Sequence, residues 1–413
     1  MTAATCIISR QQESERPVLA LSFAVGFYFA FRLFIMLLSV RVFGAAPQTG
    51  VEISLVLNIV FLMAVAFCSP NFARRPLWLI LQPASVRWAM LFLMFSGCSL
   101  LWSVTVSVPA AVAYWCAMAA DSFIVILMLR TGEAATTVSS LMKGYIWGAC
   151  AIAIIAWIMP AQSDLRLGDE ELLGPNQIGY LCAFSIYFAQ YLSRLGGRRM
   201  VGPVLLLALT LLRSLSKTTI IAFLISQAFL LLRDSSMSRR QKILLVLASI
   251  AIIGMFAGLL SSYLDVYADA GNQSETLTGR LGIWSYLLAE TADNPWFGHG
   301  FHSVWKVVPP FGPDQFEARH AHNELLQQLY AYGIAGVVLL VGIYGSIFLQ
   351  VRRLTPGALK TFFYAFLIFI WIRGLADTEP FDLSLPLWTI ILISAQMVSL
   401  PRAKEVIANV IPL

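Results

Sequence analysis

Apolar segments of about 20 residues recur along almost the whole chain, and they constrain its fold more than any other feature. A helix of that length crosses the ~30 Å hydrocarbon core of a bilayer. Of the 413 residues, 59% are hydrophobic and only 12% are charged, whereas soluble domains carry about 25% charged residues. The sequence therefore predicts an all-α, polytopic membrane protein and excludes a soluble globular enzyme.

Hydropathy predicts about twelve transmembrane helices. They lie near residues 18–40, 51–68, 86–104, 107–129, 138–159, 176–193, 200–213, 216–232, 242–262, 325–350, 358–376 and 383–400. The loops between them alternate in charge: some are rich in Lys and Arg, as at 194–199 and 352–353, and others carry carboxylates, as at 164–171 and 377–382. Because cationic loops stay in the cytoplasm, both termini are predicted to be cytoplasmic.

Residues 263–324 form the one large polar segment, which this topology assigns to the external face. All four histidines of the chain belong to it: His299, His302, His320 and His322. Within the segment, residues 277–292 have apolar side chains at i, i+3 and i+4 spacing, which predicts an amphipathic helix. We treat residues 1–413 as a single membrane domain with 263–324 as its extramembrane loop.

External loops are poor in Lys and Arg, so the cations that the topology assigns to that side are candidate binding residues. They are Arg213, Lys217, Arg280, Lys306, Arg319 and Arg373. Lys217 follows Ser216 at the start of the eighth predicted helix, where free N–H groups, hydroxyls and a cation suit a phosphate. The alternative is that Ser216 only caps the helix and Lys217 extends to the headgroups.

Other polar residues at or within the helices have two readings each. Arg280 opens the amphipathic helix, and its planar guanidinium either holds phosphate oxygens or pairs with Glu275 or a lipid headgroup. Asn176 begins the sixth predicted helix and either binds a sugar hydroxyl or caps that helix. Arg32 and Asp121 lie inside predicted spans, where charges are functional candidates or else satisfy each other.

His322 is the best candidate for a catalytic base, because it precedes a membrane helix on the external side with cations nearby. A neutral imidazole can take a proton from a hydroxyl group. Gly333, eleven residues later, is expected on the same helical face, and together with Gly336 it is predicted to let another helix approach closely. The alternative is an interfacial histidine that caps the helix.

The histidines also raise the possibility of a metal site of the form H-x₂-H…H-x-H. Against it, His320 and His322 are expected to point apart on an extended strand, and Arg319 adds a positive charge. No carboxylate or cysteine has convincing ligand spacing. We therefore predict no metal and no cofactor.

His322-Asn323, followed by Gly333 and Gly336, resembles the signature of the O-antigen ligase and polysaccharide polymerase superfamily of bacterial envelope enzymes. Further motifs are similar to the family's pattern: Gly174-Pro175-Asn176-Gln177-Ile178-Gly179, Ser216-Lys217-Thr218, Thr278-Gly279-Arg280 with Trp284, Asn294-Pro295, and Gly298-His299-Gly300-Phe301. The resemblance covers residues 174–350, and the first five predicted spans match only in hydropathy.

The resemblance implies a metal-independent glycosyltransferase of the GT-C type in the bacterial inner membrane, acting in surface polysaccharide biosynthesis. It would move a glycan from an undecaprenyl-diphosphate-linked donor to a sugar hydroxyl on the periplasmic face. The acceptor would be lipid A core for a ligase, or another lipid-linked glycan for a polymerase, and no nucleic acid is expected as a partner.

The resemblance also implies roles for individual residues. His322 would be the base that activates the acceptor hydroxyl. Lys217 stands where many relatives have arginine, and Arg213 is the candidate for the missing guanidinium. The diphosphate would be held by Arg280, Lys217 and Arg213, and the substrate would be supported by Asn323, Asn176, Arg319 and Arg373.

A transporter or flippase of lipid-linked sugars is the alternative function. Transporters place charges near the bilayer midplane and often interrupt their helices there. In this sequence the charges concentrate at one face and in one loop, which favours an enzyme. The residues do not separate a ligase from a polymerase, because both use the same donor head and the same base.

Overall fold

The computed structural model is helical, and the residues that it describes contain no β-strand, only isolated bridges. The described residues are 3–68, 75–130, 134–160, 162, 165–169, 172–197, 199–234, 238–255, 258, 261–262, 277–303, 320–378 and 383–400. The helices are α1 (Ala3–Leu37, continued by a π turn, Leu38–Val42), α2 (Pro47–Cys68), α3 (Leu77–Ile80), α4 (Ala84–Cys98), α5 (Val108–Arg130), α6 (Ala134–Ile158), α7 (Pro175–Arg194), α8 (Val201–Arg213), α9 (Lys217–Arg233), α10 (Arg239–Met255), α11 (Leu277–Thr291), α12 (Glu324–Arg353), α13 (Ala358–Gly374) and α14 (Leu387–Ser399).

A helix coincides with each of the twelve predicted spans. Among the described residues, six helical segments are long and apolar enough to cross a membrane: Pro17–Val42, Thr49–Phe67, Ala84–Leu101, Val108–Arg130, Ala134–Ile158 and Glu324–Arg353. The remaining predicted spans coincide with helices that are shorter or less apolar. The prediction of an all-helical, multi-pass membrane protein is confirmed, while the exact number of spans and the side of the termini stay predictions.

The chain divides into two compact units. Unit 1 comprises Met1–Leu81, Ala120–Ile220 and Val398–Leu400. Unit 2 comprises Gln82–Ala119, Ile221–Met397 and Pro401–Leu413. The single-domain assignment made from the sequence stays a prediction.

Unit 1 is organised around the packing of α1 against α6, with α7 and α8 also in contact with α6. Glycines allow the two backbones to touch. A Cβ atom on Gly26 would overlap the carbonyl oxygen of Leu141, and one on Gly144 would overlap that of Phe23. In membranes, small residues at helix crossings take this role, because lipid tails provide no hydrophobic force between helices.

We expect Gly144→Val to destabilise unit 1 strongly. The added side chain has no room against the α1 backbone, and overpacking of this kind costs about 1–3 kcal/mol. Thermal unfolding of the purified protein in detergent measures the effect. The matched control is Gly254→Val in α10, where a Cβ atom meets nothing within 4 Å. Equal melting temperatures for the two variants would show that the α1–α6 contact is not required.

An ion pair lies among the spans of unit 1. The guanidinium of Arg32 in α1 donates to the carboxylate of Asp121 in α5. The Asp121 side chain is 6% exposed and that of Arg32 is 34% exposed. This contact favours the reading in which the two intramembrane charges satisfy each other.

In unit 2, α12 is broken at Gly333. Its φ of 64° and ψ of −154° fall in a region that only glycine adopts readily. The loop that follows α11, residues 292–303, enters the break. The N–H of Ile334 donates to the carbonyl of Pro295 at 2.8 Å, and the N–H of Ala335 donates to that of Trp296 at 3.2 Å. The loop therefore replaces hydrogen-bond acceptors that a continuous helix would supply.

The same loop also hydrogen-bonds to the part of α12 that precedes the break. The N–H groups of His299 and Gly300 donate to the carbonyls of Tyr330 and Ala331, at 3.0 Å and 2.8 Å. The His299 ring also stacks on Tyr330, with ring centroids 4.4 Å apart. Two sequence motifs, Asn-Pro…Gly-His-Gly and the glycine pair after His-Asn, are thus joined by backbone hydrogen bonds.

The expectation that the glycine pair admits another helix is wrong. Backbone atoms of Pro295 and Trp296 would lie 2.5–2.6 Å from a Cβ on Gly333, so the close neighbour is a loop. At Gly336 the nearest atom is the carbonyl oxygen of Gln328, eight residues earlier in α12 and on the other side of the break. Both glycines therefore provide the space that the break in α12 requires.

The loop is anchored on its far side by residues 99–105. The N–H of Phe301 donates to Ser99 Oγ at 3.0 Å, and Thr105 Oγ1 lies 2.7 Å from His302 Nδ1. Burial lowers the pKa of His302 to about 4, so its ring is neutral at physiological pH. Both His299 and His302 therefore hold the loop in its conformation.

Candidate functional site

His322 lies in a tight turn immediately before α12. Its φ of 51° is left-handed, and its N–H donates to His320 Nδ1 at 3.2 Å. The two imidazole rings consequently lie close together, with centroids 3.9 Å apart and their planes tilted by 56°. The helix cap is Asn323, whose Oδ1 accepts from the N–H of Leu326 at 3.1 Å. The alternative in which His322 caps the helix is wrong.

A carboxylate and a guanidinium stand next to His322. Its Nδ1 lies 3.7 Å from Asp377 Oδ1, and the other oxygen of Asp377 lies 3.3 Å from an amino nitrogen of Arg373. Burial opposes ionisation of Asp377, but Arg373 and the two imidazoles outweigh it, so the pKa of Asp377 lies well below its ordinary value. The site therefore contains a permanent carboxylate beside an imidazole.

The backbone that carries Asp377 is fixed from two directions. Arg280 in α11 donates to the carbonyl of Ala376 at 2.6 Å. Asn323 Nδ2 donates to the carbonyl of Leu375 at 2.9 Å. Three segments that are remote in sequence thus meet: α11, the start of α12 and the end of α13. The predicted residues Arg280, His322, Asn323 and Arg373 all belong to this cluster.

A second carboxylate, that of Glu324, lies next to the cluster in the first turn of α12. It is buried, and it accepts hydrogen bonds from the Tyr344 hydroxyl at 2.9 Å and from the N–H of Ser384 at 2.8 Å. A Cβ on Gly374 would lie 2.6 Å from Glu324 Oε2. Glu324 was not predicted as a site residue, although an acid in the first turn of an apolar helix, directly after His-Asn, was a usable signal.

Helix α11 coincides with the predicted amphipathic helix and packs against the His322 turn. Its Trp284 donates to the carbonyl of Ala321 at 2.8 Å. Ile283 and Leu287 are buried against Tyr330 and Ala321, whereas the leucines of its other face are half-exposed. This packing holds Arg280 over the loop that carries Asp377.

His320 also belongs to the cluster, although the sequence raised it only as a possible metal ligand. The pKa of His320 is lowered to about 3, mainly by burial and also by His322, Arg373 and Arg280, while Asp377 acts in the opposite direction. His320 is therefore neutral at physiological pH. Two guanidinium groups make the surroundings of these imidazoles favourable for an anion.

His320, His322 and Asp377 also satisfy the spacing of a metal triad, because their ligand atoms all lie within 4.8 Å of one another. The expectation that the two histidines point apart is wrong, since the left-handed turn at His322 brings the rings together. Two observations oppose a cation: Arg373 is paired with Asp377, and both Arg280 and Arg373 lower the pKa of His320.

Unit 1 contains a separate polar cluster around Asn176. Its Oδ1 accepts from Arg166 at 2.9 Å and from the Ser216 hydroxyl at 3.0 Å. The N-cap residue of α7 is Gly174, so the alternative in which Asn176 caps the helix is wrong. Because its oxygen already accepts two donors, Asn176 offers its amide N–H₂ group to a ligand.

Arg166 was missed by the sequence reasoning, because it lies in a loop counted as acidic. It is only 4% exposed and is the guanidinium that contacts Asn176. Arg213 instead donates to the carbonyl of Leu165. Lys217 is the first residue of α9. A cation in an otherwise acidic external loop was the signal that could have identified Arg166.

The predicted site residues therefore fall into two groups. One, in unit 2, consists of His322, Asn323, Arg280 and Arg373, and the other, in unit 1, consists of Asn176, Arg213 and Lys217. Arg319, like Lys306, lies outside the described residues, so its proposed supporting role stays a prediction.

Part of the chain matches a known family. The sequence profile of the O-antigen ligase family (Wzy_C) matches residues 202–341, which include Lys217, Arg280 and His322. The chain is also similar to an O-antigen ligase of Pseudomonas aeruginosa strain PAO1, with 28% identity over 191 residues. That alignment covers 45% of this chain and 44% of the relative, less than half of either protein.

Proposed function

Because residues 202–341 belong to the O-antigen ligase superfamily, we propose that this protein is a membrane glycosyltransferase of surface polysaccharide biosynthesis. It moves a glycan from an undecaprenyl-diphosphate-linked donor to a sugar hydroxyl on the periplasmic face. The observation that carries the proposal is the arrangement of His322 against Asp377, between Arg280 and Arg373.

His322 acts as the general base. With Nδ1 facing Asp377, its Nε2 takes the proton of the acceptor hydroxyl, and the carboxylate stabilises the imidazolium that forms. The acceptor oxygen then bonds to the anomeric carbon of the donor, and the bond from that carbon to the diphosphate breaks. The His322 side chain is 14% exposed, so a substrate has access to it.

Arg280 stabilises the leaving diphosphate, and the buried Arg373, paired with Asp377, supports the site. Fixed cations aimed at developing charge lower the barrier of a reaction because they need no reorganisation. One nitrogen of Arg280 is held by the Ala376 carbonyl, which orients the planar group and leaves its other N–H donors for phosphate oxygens. That Asn176 and Lys217, in unit 1, also take part in donor binding stays a prediction from the sequence.

The acceptor defines two versions of this activity. A ligase uses lipid A core, and a polymerase uses a second lipid-linked glycan. Both need a base for a weak hydroxyl nucleophile and cations for the same leaving group, so the described cluster serves either. Reconstituted protein supplied with the donor and each acceptor in turn separates the two.

The fate of the donor in cells tests the proposal against the flippase alternative. Cells that lack the protein should lose the polysaccharide product and accumulate lipid-linked glycan in the external leaflet, accessible to added lectin. Complementation with the wild-type chain should reverse both effects. Lipid-linked glycan that stays in the cytoplasmic leaflet would contradict a transferase and favour a flippase.

We expect excess EDTA to leave the transfer rate of the purified protein unchanged. Arg373 pairs with Asp377, and the positive surroundings of His320 oppose a bound cation. Activity is measured before and after chelation and dialysis. A loss of activity that added Zn²⁺ restores would instead identify His320, His322 and Asp377 as metal ligands.

Asn176→Asp should raise the KM for the donor roughly tenfold to a hundredfold, the cost of losing a hydrogen bond to a charged group. The oxygen that contacts Arg166 and Ser216 remains, and only the N–H₂ donor becomes an anionic oxygen. The matched control is Gln177→Glu, one residue further on and exposed, which retains the oxygen bonded to the Gly174 N–H. Equal KM values for both variants would remove Asn176 from the donor site.

A further inference from the structure

A cavity of about 510 Å³ lies in unit 1, between α6, the end of α7 and the start of α8. Its polar lining includes Lys143 from α6 and Arg199 from the α7–α8 loop. Among the described residues that line the cavity there is no carboxylate. None of the described residues forms an ion pair or hydrogen bond with either cation. The cavity therefore combines two cations from different elements, and the described part of the chain places no counter-charge beside them.

The rest of the lining is apolar and partly exposed. It includes Trp147, Leu192, Leu195 and Pro203, and the indole of Trp147 is 47% exposed. Tryptophan is enriched at the level of the lipid headgroups because its ring is apolar and its N–H is polar. A ligand that fits this lining has an anionic head and an apolar body.

Lys143 strengthens this reading. It lies inside Ala134–Ile158, one of the helices long and apolar enough to cross a membrane. A cation within such a helix is costly unless it reaches the headgroups or meets an anion. Arg199 lines the same cavity, so a single phosphate can satisfy both charges.

We propose that this cavity binds an anionic glycerophospholipid, with its phosphate between Lys143 and Arg199 and the beginning of its acyl chains along Trp147 and the leucines. The positive-inside rule predicts that this end of α6 and α8 is cytoplasmic, so the lipid comes from the cytoplasmic leaflet. The proposal is independent of the transferase function.

Native mass spectrometry of the purified protein, titrated with phosphatidylglycerol, tests this site. Lys143→Gln combined with Arg199→Gln should raise the Kd for phosphatidylglycerol about thirtyfold, which corresponds to about 1 kcal/mol for each cation. The matched control is Arg352→Gln combined with Arg353→Gln, which removes two exposed charges at the end of α12 and should change the Kd less than twofold.

Three further measurements complete the experiment. Phosphatidylcholine should bind the wild type far more weakly, and inorganic phosphate should not displace phosphatidylglycerol. If the double variant does not fold, Arg199→Gln alone, in an exposed loop, should raise the Kd about fivefold. Unchanged affinity in the variants would overturn the proposal. So would equal binding of phosphatidylcholine, or displacement by inorganic phosphate.

Discussion

His322→Ala should lower the rate of glycan transfer by about 10²–10⁴-fold, the range that a general base contributes. The acceptor hydroxyl is a weak nucleophile, and the partly exposed His322 has Asp377 Oδ1 3.7 Å from its Nδ1, which leaves Nε2 for the proton of the hydroxyl. Transfer is measured with purified protein, lipid-linked donor and acceptor. Binding of the donor should change little, because in this cluster the proposed diphosphate contact is made by Arg280.

Two controls separate a chemical role of His322 from a structural one. Added imidazole should restore part of the activity of the alanine variant, because a free base can occupy the vacated space. Trp296→Ala, at a side chain that is 65% exposed, should retain activity close to that of the wild type. Full activity of His322→Ala, with an unchanged melting temperature, would contradict the assignment of the base.

Gly333→Val should abolish activity without touching any proposed catalytic group. A valine at φ 64° and ψ −154° is strained by about 1–3 kcal/mol. Its Cβ would also lie 2.5 Å from the carbonyl carbon of Trp296, and overpacking adds about 1–3 kcal/mol. The loop must then leave the break in α12, and the helix that begins beside His322 loses its support.

The effect is measured as the melting temperature and the transfer rate of the purified variant. Gly345→Val is the matched control, because it lies in the same helix and a Cβ there meets nothing within 4 Å. We expect the control to melt close to the wild type. A Gly333 variant as stable and as active as the control would contradict the role of the loop in holding the site.

The sequence predicted the helices well, because hydrophobic length alone identifies segments that suit a bilayer. It also selected His322, Asn323 and Arg280 from their spacing relative to the helix starts; the structure brings the three together, and their roles stay predictions. Arg373 was selected for another reason: it is a cation on the external side, where the topology predicts few Lys or Arg residues. These features are local, so a single sequence reveals them.

What the sequence could not predict depends on contacts between distant segments. Asp377 was used only to assign its loop to the external face. Its position beside His322 results from the contact between the start of α12 and the end of α13. The proximity of His320 to His322 depends on a left-handed φ that no spacing rule anticipates. Likewise, the glycine pair was read as a helix contact, since periodicity alone cannot reveal a loop inserted into α12.

Transfer by reconstituted protein tests the central claim most directly. Wild-type protein in proteoliposomes is given a lipid-linked glycan donor and an acceptor, and released lipid diphosphate and new glycosidic bonds are counted. We predict one lipid diphosphate released for each glycosidic bond formed, and almost no release with His322→Ala. Movement of the donor across the bilayer without bond formation, or equal product from the His322 variant, would contradict the account.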